Sequence, residues 1–232
     1  MKAMILAAGK GTRLQPLTDT CPKPLIPVGG KPLIVYHLEK LKSVGITDVV
    51  INLRHLGEKI QDYLGDGKSW ELNIQYSVEP KDLEVGGGIC YALPLLGKDP
   101  FIIINGDIWT DYPLSHLPMT PQGLAHLVLV DNPLHNAKGD FVLDNQGKLI
   151  RAHALDQKTV TYAGISLLRP ELFEDHECGS TFRLAPLLDK AISQGSLSGE
   201  YYSGAWTDVG TLERLQFLEN TLALPSEIQL SL

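Results

Sequence analysis

The chain begins with a short apolar run that leads directly into a long stretch rich in Gly, Pro and Thr. Residues 1–8 (MKAMILAA) are mostly apolar, and the next 22 residues, 9–30, show neither helical nor strand periodicity. A buried strand followed at once by glycines allows backbone N–H groups to approach an anion closely. A long segment without regular structure in a compact domain is usually functional or disordered. We therefore predict a first strand at 1–8 and a binding loop at 9–30.

The rest of the first half alternates between strand and helix patterns, which is typical of a parallel sheet covered by helices. We predict strands at 48–53, 72–78 and 101–105 and helices at 32–44, 56–64 and 86–96. Hairpin-type links dominate the second half, where we predict strands at 125–130, 141–143, 149–152 and 162–167 and helices at 184–192 and 211–222. The predicted fold is one α/β domain over 1–232, a Rossmann-like three-layer sandwich with a mixed, mostly parallel central sheet.

Charge is distributed unevenly along the chain. The 20 basic and 27 acidic residues give a net charge of −7, which argues against a general nucleic-acid binder and against adhesion to anionic membranes. Within residues 1–31, however, five bases and one acid give a local charge of +4, which leaves −11 for the other 201 residues. A basic pocket in an acidic protein suits a small polyanion.

Two basic residues on a conformationally restricted backbone distinguish the glycine-rich loop. Arg13 follows Gly11 by two residues, and Lys23 lies between two prolines that restrict the backbone on both sides. The P-loop pattern GxxxxGK[ST] is absent, and no third glycine completes a dinucleotide fingerprint. A pair of solvated surface bases is the simpler alternative, but it does not account for the surrounding glycines and prolines. We therefore predict that this loop binds phosphate groups.

The loop and three later motifs resemble the signature of the sugar-1-phosphate nucleotidylyltransferases. The loop has the sequence LAAGKGTRLQPLT at 6–18 and is followed by PKPL at 22–25. The later motifs are Gly86-Gly87 after a Glu, Asn105-Gly106-Asp107 at a strand end, and WTDVGT at 206–211. The resemblance covers nearly the whole chain. It implies the nucleotide-diphospho-sugar transferase fold, with a nucleotide-binding half at 1–107 and a sugar-binding half at 108–232.

The resemblance also implies roles for particular residues. Arg13 and Lys23 are expected to be catalytic through their contacts with phosphates. Asp107 and Asp208 are expected to hold Mg²⁺, which proteins bind with one or two carboxylates and substrate phosphates, although each taken alone fits a helix N-cap better. Nucleotide binding is expected at Leu6, Ala8, Gly9, Gly11, Thr12, Arg13, Lys23, Glu79, Gly86 and Asn105. Sugar binding is expected at Asn105, Asp140, Tyr162 and Gly164.

Glu79 bears on the choice of nucleobase. An ionised carboxylate only accepts hydrogen bonds, so it needs a ring N–H, which uracil and guanine offer and cytosine does not. The resemblance favours UTP as the donor and N-acetylmuramic acid 1-phosphate as the acceptor, giving a UDP-sugar and pyrophosphate in cell-wall recycling. A mannose-1-phosphate guanylyltransferase or another pyrophosphorylase of the family is one alternative. A nucleotide-sugar-binding regulator without activity is the other.

One element of the family pattern is missing. Many members carry a Glu-Lys-Pro whose Lys holds the sugar phosphate, and the corresponding stretch here, at 150–155, lacks it. Lys23 is then the first candidate for that contact and Arg151 the second. The seven histidines show no metal-ligand spacing, so we interpret them as ordinary fold residues.

The spacing of the cysteines and the length of the apolar runs indicate where in the cell the protein is located. Cys21, Cys90 and Cys178 are far apart along the chain and form no CxxC pair, so we expect no disulfide framework and no zinc site. The apolar run at 3–8 is too short for a secretory signal, and no stretch approaches the ~18 apolar residues of a membrane span. We expect a cytoplasmic enzyme, monomeric or weakly homodimeric, with no nucleic-acid or membrane partner.

Overall fold

The computed structural model describes residues 1–151 and 158–223. The strands within these residues are β1 (Lys2–Leu6), β2 (Pro27–Val28), β3 (Lys31–Pro32), β4 (Asp48–Leu53), β5 (Asn73–Val78), β6 (Phe101–Asn105), β7 (Ile108–Thr110), β8 (Ala125–Val130), β9 (Phe141–Leu143), β10 (Leu149–Arg151), β11 (Thr159–Leu168), β12 (Leu197–Tyr201) and β13 (Trp206–Asp208). The helices are α1 (Leu17–Thr20), α2 (Leu33–Ser43), α3 (Gly57–Leu64), α4 (Glu84–Leu96), α5 (Leu184–Ser193) and α6 (Leu212–Ala223). None of these helices is long and apolar enough to cross a membrane. Residue 152, the last of one predicted strand, lies outside the described residues.

The central sheet is mixed and has a parallel core. Its order is β10-β9-β11-β6-β1-β4-β5, and β8 pairs with β11 and β12. The parallel registers of β1 with β4 and β6 bring Leu6 level with Asn52 and Asn105. β11 runs antiparallel to β6, so the second half of the chain joins the first within one sheet. The predicted α/β fold with a mixed, mostly parallel sheet is confirmed.

Apolar side chains cover both faces of the sheet. Because successive residues of a strand point to opposite faces, Ile5 and Ile51 pack under α2 and α3, whereas Met4 and Val50 pack under α4. All four side chains are almost completely buried. The two clusters fix the positions of the strand ends, which is where a ligand of an open α/β sheet binds.

A third apolar cluster joins the beginning of the chain to its end. Leu14 and Ile26, from the glycine-rich loop, pack with Val209 and with Leu215 and Leu218 of α6. Leu14 and Val209 are each 0% exposed. This cluster therefore holds the segment that carries Arg13 against the segment that carries Asp208.

The prediction of an irregular loop over 9–30 is wrong in part. The stretch contains one turn of 3₁₀ helix at Thr12–Leu14, the short helix α1, a second 3₁₀ turn at Lys23–Leu25 and the strand β2, which pairs with β3 just after the stretch. Such short turns depend on single hydrogen bonds rather than on a periodic apolar face, and Leu14 N donates to Gly11 O at 2.8 Å. The helix predicted at 86–96 begins two residues earlier, at Glu84. The strands β7, β12 and β13 were not predicted.

Candidate active site

A cavity of about 510 Å³ opens at the carboxyl ends of β1, β4 and β6. Its lining includes Leu6, Asn52 and Asn105 at these strand ends, together with the glycine-rich loop. Of the ten residues predicted to bind the nucleotide, nine line this cavity: Leu6, Ala8, Gly9, Gly11, Thr12, Arg13, Lys23, Glu79 and Asn105. The fold thus brings together residues from four separate parts of the first half.

The glycine-rich loop turns sharply at Gly11. The backbone of Gly11 has a φ of 64°, a left-handed conformation that disfavours residues with a side chain, and a Cβ there would lie 2.8 Å from Thr18 Cγ2. The Thr18 hydroxyl donates to the Gly11 carbonyl at 2.9 Å, which fixes the turn from the other side. Arg13 follows on the 3₁₀ turn and is exposed, and its side chain borders the cavity.

Lys23 is held at the site by an ion pair with Asp107. The Lys23 Nζ lies 2.6 Å from Asp107 Oδ2, with the Lys23 side chain 11% exposed and that of Asp107 35% exposed. Pro24 follows Lys23 and is buried, so the backbone that carries the ammonium group is anchored. A largely buried ammonium group on a stiff support is suited to contact a phosphate oxygen.

Asp107 and Asp208 are brought together by the short strands β7 and β13. These strands pair antiparallel with Ile108 opposite Asp208, and Val209 N donates to Asp107 O at 2.7 Å. The two aspartates are 101 positions apart in sequence, but they lie on adjacent backbone segments in the fold. Both predicted metal-binding residues thus lie next to the loop that carries Lys23.

The Asp208 carboxylate lies next to two nitrogen-bearing side chains. Its Oδ1 lies 3.0 Å from Arg214 Nη1 and 3.1 Å from His135 Nε2. This oxygen is buried and has no partner of good hydrogen-bond geometry within the described residues. Those residues contain no cluster of three or more His, Cys, Asp or Glu suited to a metal. Mg²⁺ is commonly bound by one or two carboxylates and takes its remaining ligands from phosphates and water. The carboxylates of Asp107 and Asp208, with the buried Asp208 Oδ1, fit this pattern.

Glu79 is buried at the inner end of the cavity and is part of a hydrogen-bond chain. Asn52 Oδ1 accepts from Ala7 N at 2.7 Å, and Asn52 Nδ2 donates to Glu79 Oε1 at 2.7 Å. Because Ala7 N is a donor, the Asn52 amide has only one consistent orientation, and Glu79 must act as an acceptor. Burial raises the pKa of the Glu79 carboxyl, and the Asn52 hydrogen bond partly offsets this.

Gly86 lies apart from the cavity lining. A Cβ on Gly86 would lie 2.6 Å from the Phe182 ring, so this glycine allows α4 to pack closely on the segment around Phe182. Glu84 and Val85, the first residues of α4, line the cavity instead. Gly88 approaches Glu79, since a Cβ there would lie 2.5 Å from Glu79 Oε1.

The residues predicted to bind the sugar have separate environments. Asn105 lies against Gly164, where a Cβ would be 2.9 Å from Asn105 Nδ2. The Asp140 carboxylate accepts from Tyr162 N at 2.9 Å and from Asn136 Nδ2 at 3.0 Å. The Tyr162 side chain packs against the apolar cluster under α4, and its hydroxyl contacts Ser166 Oγ at 2.9 Å. Burial raises the pKa of Tyr162 to about 12. Among these four, only Asn105 borders the first cavity.

A second cavity, of about 670 Å³, adjoins the first, and Arg13 borders both. Asp208, His135, Arg214 and Trp206 line it. Three residues of these cavities, Asn52, His135 and Arg214, were not predicted from the sequence. A polar residue near the end of an apolar strand was the available signal for Asn52, whereas the other two are visible only once β13 and α6 are in place. The interpretation of every histidine as an ordinary fold residue is therefore incomplete.

Comparison with known proteins agrees with this geometry. Residues 2–123 match the family model of the nucleotidyl transferases. The chain is 48% identical over 222 residues to the N-acetylmuramate alpha-1-phosphate uridylyltransferase of Neisseria meningitidis serogroup B, which covers 93% of this chain and 96% of that protein. It is 30% identical over 224 residues to the mannose-1-phosphate guanyltransferase of Hypocrea jecorina, over 90% of this chain and 61% of that protein.

Among solved structures, the fold is shared with a Bacillus anthracis protein described as a glucose-1-phosphate thymidylyltransferase. The TM-score is 0.81 at 24% sequence identity, over 100% of this chain and 99% of that chain. Fold, site and similarity together define an α/β transferase that acts on nucleotides. The chain belongs to the nucleotidyl transferase family, and the prediction of a nucleotidyltransferase enzyme is confirmed.

Proposed function

We propose that this enzyme transfers a uridylyl group from UTP to N-acetylmuramic acid 1-phosphate, in a single catalytic domain. The observation that carries the proposal is the 48% identity to the uridylyltransferase of N. meningitidis along nearly the full length of both chains. The products are the UDP-sugar and pyrophosphate. We propose a cytoplasmic location, because the thiols are free in the described structure. We also propose that the enzyme is a monomer or a weak homodimer.

The reaction requires little acid–base chemistry from the protein. A phosphate oxygen of the sugar substrate, ionised at neutral pH, attacks the α-phosphorus of UTP. The bond from that phosphorus to the bridging oxygen breaks, and pyrophosphate leaves. Catalysis then depends on bringing two polyanions together in line and on neutralising charge. In this proposal Arg13, exposed between the two cavities, contacts the leaving phosphates, and Lys23 contacts the α-phosphate.

Asp107 and Asp208 would hold a Mg²⁺ ion at the junction of the two cavities. When bound, this ion supplies Lewis-acid stabilisation of charge on the phosphate oxygens. The protein's own contribution is to hold the two carboxylates on paired strands and to place Lys23 beside one and Arg214 beside the other. These cations limit the repulsion between the two carboxylates while the polyanionic substrates bind.

The second cavity is the proposed site for the sugar phosphate. Arg151 is a poor candidate to hold that phosphate, because it pairs with Asp189 and its guanidinium stacks 4.7 Å from the Phe141 ring centroid. Arg214 borders the cavity, is 17% exposed, and has a buried Nε without a hydrogen-bond partner in the described part of the chain. Arg214, with Lys23, is therefore the better candidate for this contact.

A guanylyltransferase is the second candidate function. It is favoured by the mannose-1-phosphate guanyltransferases at 30–32% identity, of which the chain spans 61%. Glu79 accepts hydrogen bonds and suits the ring N–H of guanine as well as that of uracil. The carboxylate therefore excludes neither base, and the choice depends on the space beside α4.

The experiment is a pyrophosphate-release assay with UTP, GTP, dTTP and CTP, each tested with N-acetylmuramic acid 1-phosphate, N-acetylglucosamine 1-phosphate and mannose 1-phosphate. We expect the highest kcat/KM for UTP with the muramic acid derivative. A preference for GTP with mannose 1-phosphate would establish the second candidate. A parallel purification from cells that do not express the enzyme controls for contaminating activity. If no pair of substrates releases pyrophosphate above that control, the proposal is wrong.

A further inference from the structure

Two cysteines that are far apart along the chain lie side by side in the fold. The Sγ atoms of Cys90 and Cys178, 88 positions apart, are separated by 3.8 Å. Cys178 Sγ also donates to the Cys90 carbonyl oxygen at 3.3 Å. Both are free thiols, and Cys90 is buried in α4 whereas Cys178 is exposed. Their spacing in sequence gave no indication of this pairing.

We propose that Cys90 and Cys178 form a reversible thiol–disulfide site whose oxidation weakens nucleotide binding. A disulfide needs a sulfur separation of ~2.05 Å, so the two sulfurs must approach by roughly 1.8 Å. Cys178 lies between α5 and the 3₁₀ turn at Pro170–Phe173, outside regular structure, so it moves more readily than Cys90 within its helix. When the two sulfur atoms approach each other, the segment 176–182 therefore moves relative to α4.

Hydrogen peroxide is a sufficient oxidant, and the exposed thiol is the first to react. Cys178 sulfur attacks a peroxide oxygen, the O–O bond breaks, and Cys178 becomes a sulfenic acid with release of water. Cys90 sulfur then attacks the sulfenic sulfur, the S–O bond breaks, and a second water leaves with the Cys90 proton. Burial raises the pKa of Cys90 to about 11, so little of it is thiolate, and the first reaction with peroxide is left to the exposed Cys178. One peroxide thus oxidises two thiols by two electrons.

The segment 176–182 is tightly coupled to the first turn of α4. Gly87 N donates to Phe182 O at 3.0 Å, and Phe182 N donates to Leu83 O at 3.2 Å. The Thr181 hydroxyl donates to Asp82 O at 3.0 Å. A Cβ on Gly86 would overlap the Phe182 ring, so no free space separates the two segments. A shift of the segment 176–182 is therefore transmitted to the start of α4.

The start of α4 is part of the first cavity. Asp82, Glu84 and Val85 line that cavity, and Gly88, one turn further, touches the carboxylate of Glu79. The second cavity is lined by residues of other segments, such as Asn132 and Phe217. Oxidation should therefore affect the nucleotide more than the sugar phosphate. The disulfide itself does not depend on the proposed function, and only the choice of UTP as the probe rests on that function.

The test begins with the reduced full-length enzyme treated with hydrogen peroxide, alkylated, and digested without reduction. Mass spectrometry should find the peptides of Cys90 and Cys178 joined, with a mass lower by two hydrogens than their sum, and Cys21 alkylated. The kcat/KM for UTP should fall by roughly tenfold to a hundredfold, since a displacement of about 1 Å in a site costs up to that much. The KM for the sugar phosphate should stay unchanged, and dithiothreitol should restore the reduced values.

Two variants complete the test. Cys178 is exposed, so Cys178→Ser should fold normally, form no cross-linked peptide and keep its kcat/KM for UTP in peroxide. Cys21→Ser should still form the Cys90–Cys178 peptide and should lose the same fraction of its own reduced kcat/KM for UTP, because Cys21 packs against a different apolar cluster from Cys90. The proposal is overturned if peroxide yields no Cys90–Cys178 peptide, or if the cross-linked enzyme uses UTP as well as the reduced one. It is also overturned if Cys178→Ser loses as much activity in peroxide as the wild type.

Discussion

Replacing Lys23 by Met separates the catalytic role of this side chain from its structural role. Lys23 Nζ lies 2.6 Å from Asp107 Oδ2, and the lysine side chain is only 11% exposed. Methionine keeps most of the length and apolar surface of the stem and removes the charge. The substitution therefore leaves a carboxylate at the site without its cation, while the packing around the stem is largely retained.

The expected effect on stability is small. Asp107 is 35% exposed, so water solvates its carboxylate when the ammonium group is gone. We expect the free energy of unfolding to fall by about 1 kcal/mol, the upper end for an ion pair open to solvent. In a chain of this size that corresponds to a drop in Tm of about 2–4 °C.

The expected effect on turnover is much larger. If Lys23 contacts the α-phosphate, where charge grows in the transition state, its loss should lower kcat by about 10²–10³-fold, the scale of one preorganised electrostatic donor. KM should change less than kcat. Lys23→Arg should restore only part of the activity, because a planar guanidinium is a poor copy of a compact ammonium group.

The assay is steady-state pyrophosphate release, with KM measured for both substrates, alongside thermal unfolding. Lys42→Met is the matched control, because Lys42 forms an ion pair of the same length, 2.6 Å, with Glu71, and both residues are more exposed. This control should keep the wild-type kcat. A Lys23→Met enzyme with kcat intact and only KM raised would show that Lys23 binds substrate and has no catalytic role.

Three further predictions concern the metal site, the base and a buried histidine. Asp208→Asn should cut turnover by orders of magnitude with the fold intact, and wild-type turnover that is equal in EDTA and in Mg²⁺ would exclude a metal role for Asp208. Glu79→Gln should lower kcat/KM for UTP only modestly, because the two lone pairs of the Gln carbonyl oxygen still accept from Asn52 and from the one ring N–H of uracil; a larger loss for GTP would indicate that Glu79 binds guanine through two hydrogen bonds. Burial lowers the pKa of His37 to about 4, so between pH ~6.5 and about 4 the unfolded chain binds more protons than the folded one. The contribution of neutral His37 to the free energy of unfolding should therefore be fully present above pH ~6.5 and should be lost as the pH drops to about 4. Thermal unfolding measured against pH should show this loss of stability, and His37→Leu should reduce its slope.

The parts of the fold that a periodic pattern encodes were predictable. The alternation of apolar runs and helical segments in the first half gave β4, β5 and β6 close to their observed ends. The chemistry of the loop was also visible, because Arg13 and Lys23 occur among glycines and prolines that restrict the backbone. Nine of the ten expected nucleotide residues line one cavity, because they follow strand ends or lie on that loop.

The unpredicted features depend on contacts between distant segments. β7 and β13 have three residues each, too few for a pattern, and they exist because the two segments pair with each other. Glycines 86 to 88 open the predicted helix, but in the structure they lie within α4, are buried and allow close packing against Phe182 and Glu79. The approach of Cys90 to Cys178 and of Arg214 to Asp208 follows from the same long-range packing, which no local property of the sequence encodes.

Three charged side chains of this site, Arg13, Asp107 and Asp208, lie on loops or at a strand end, and each is adjacent in sequence to a residue fixed in an apolar cluster. Arg13 precedes Leu14 and Asp208 precedes Val209, and both apolar neighbours are 0% exposed. Asp107 is followed by Ile108, which is 2% exposed and belongs to another cluster. Side chains that meet polyanions must keep their charge within reach of the substrate, so they provide little packing energy themselves. Their rigidity has to come from neighbours that are buried, and this arrangement gives loop residues the positional precision that electrostatic catalysis requires.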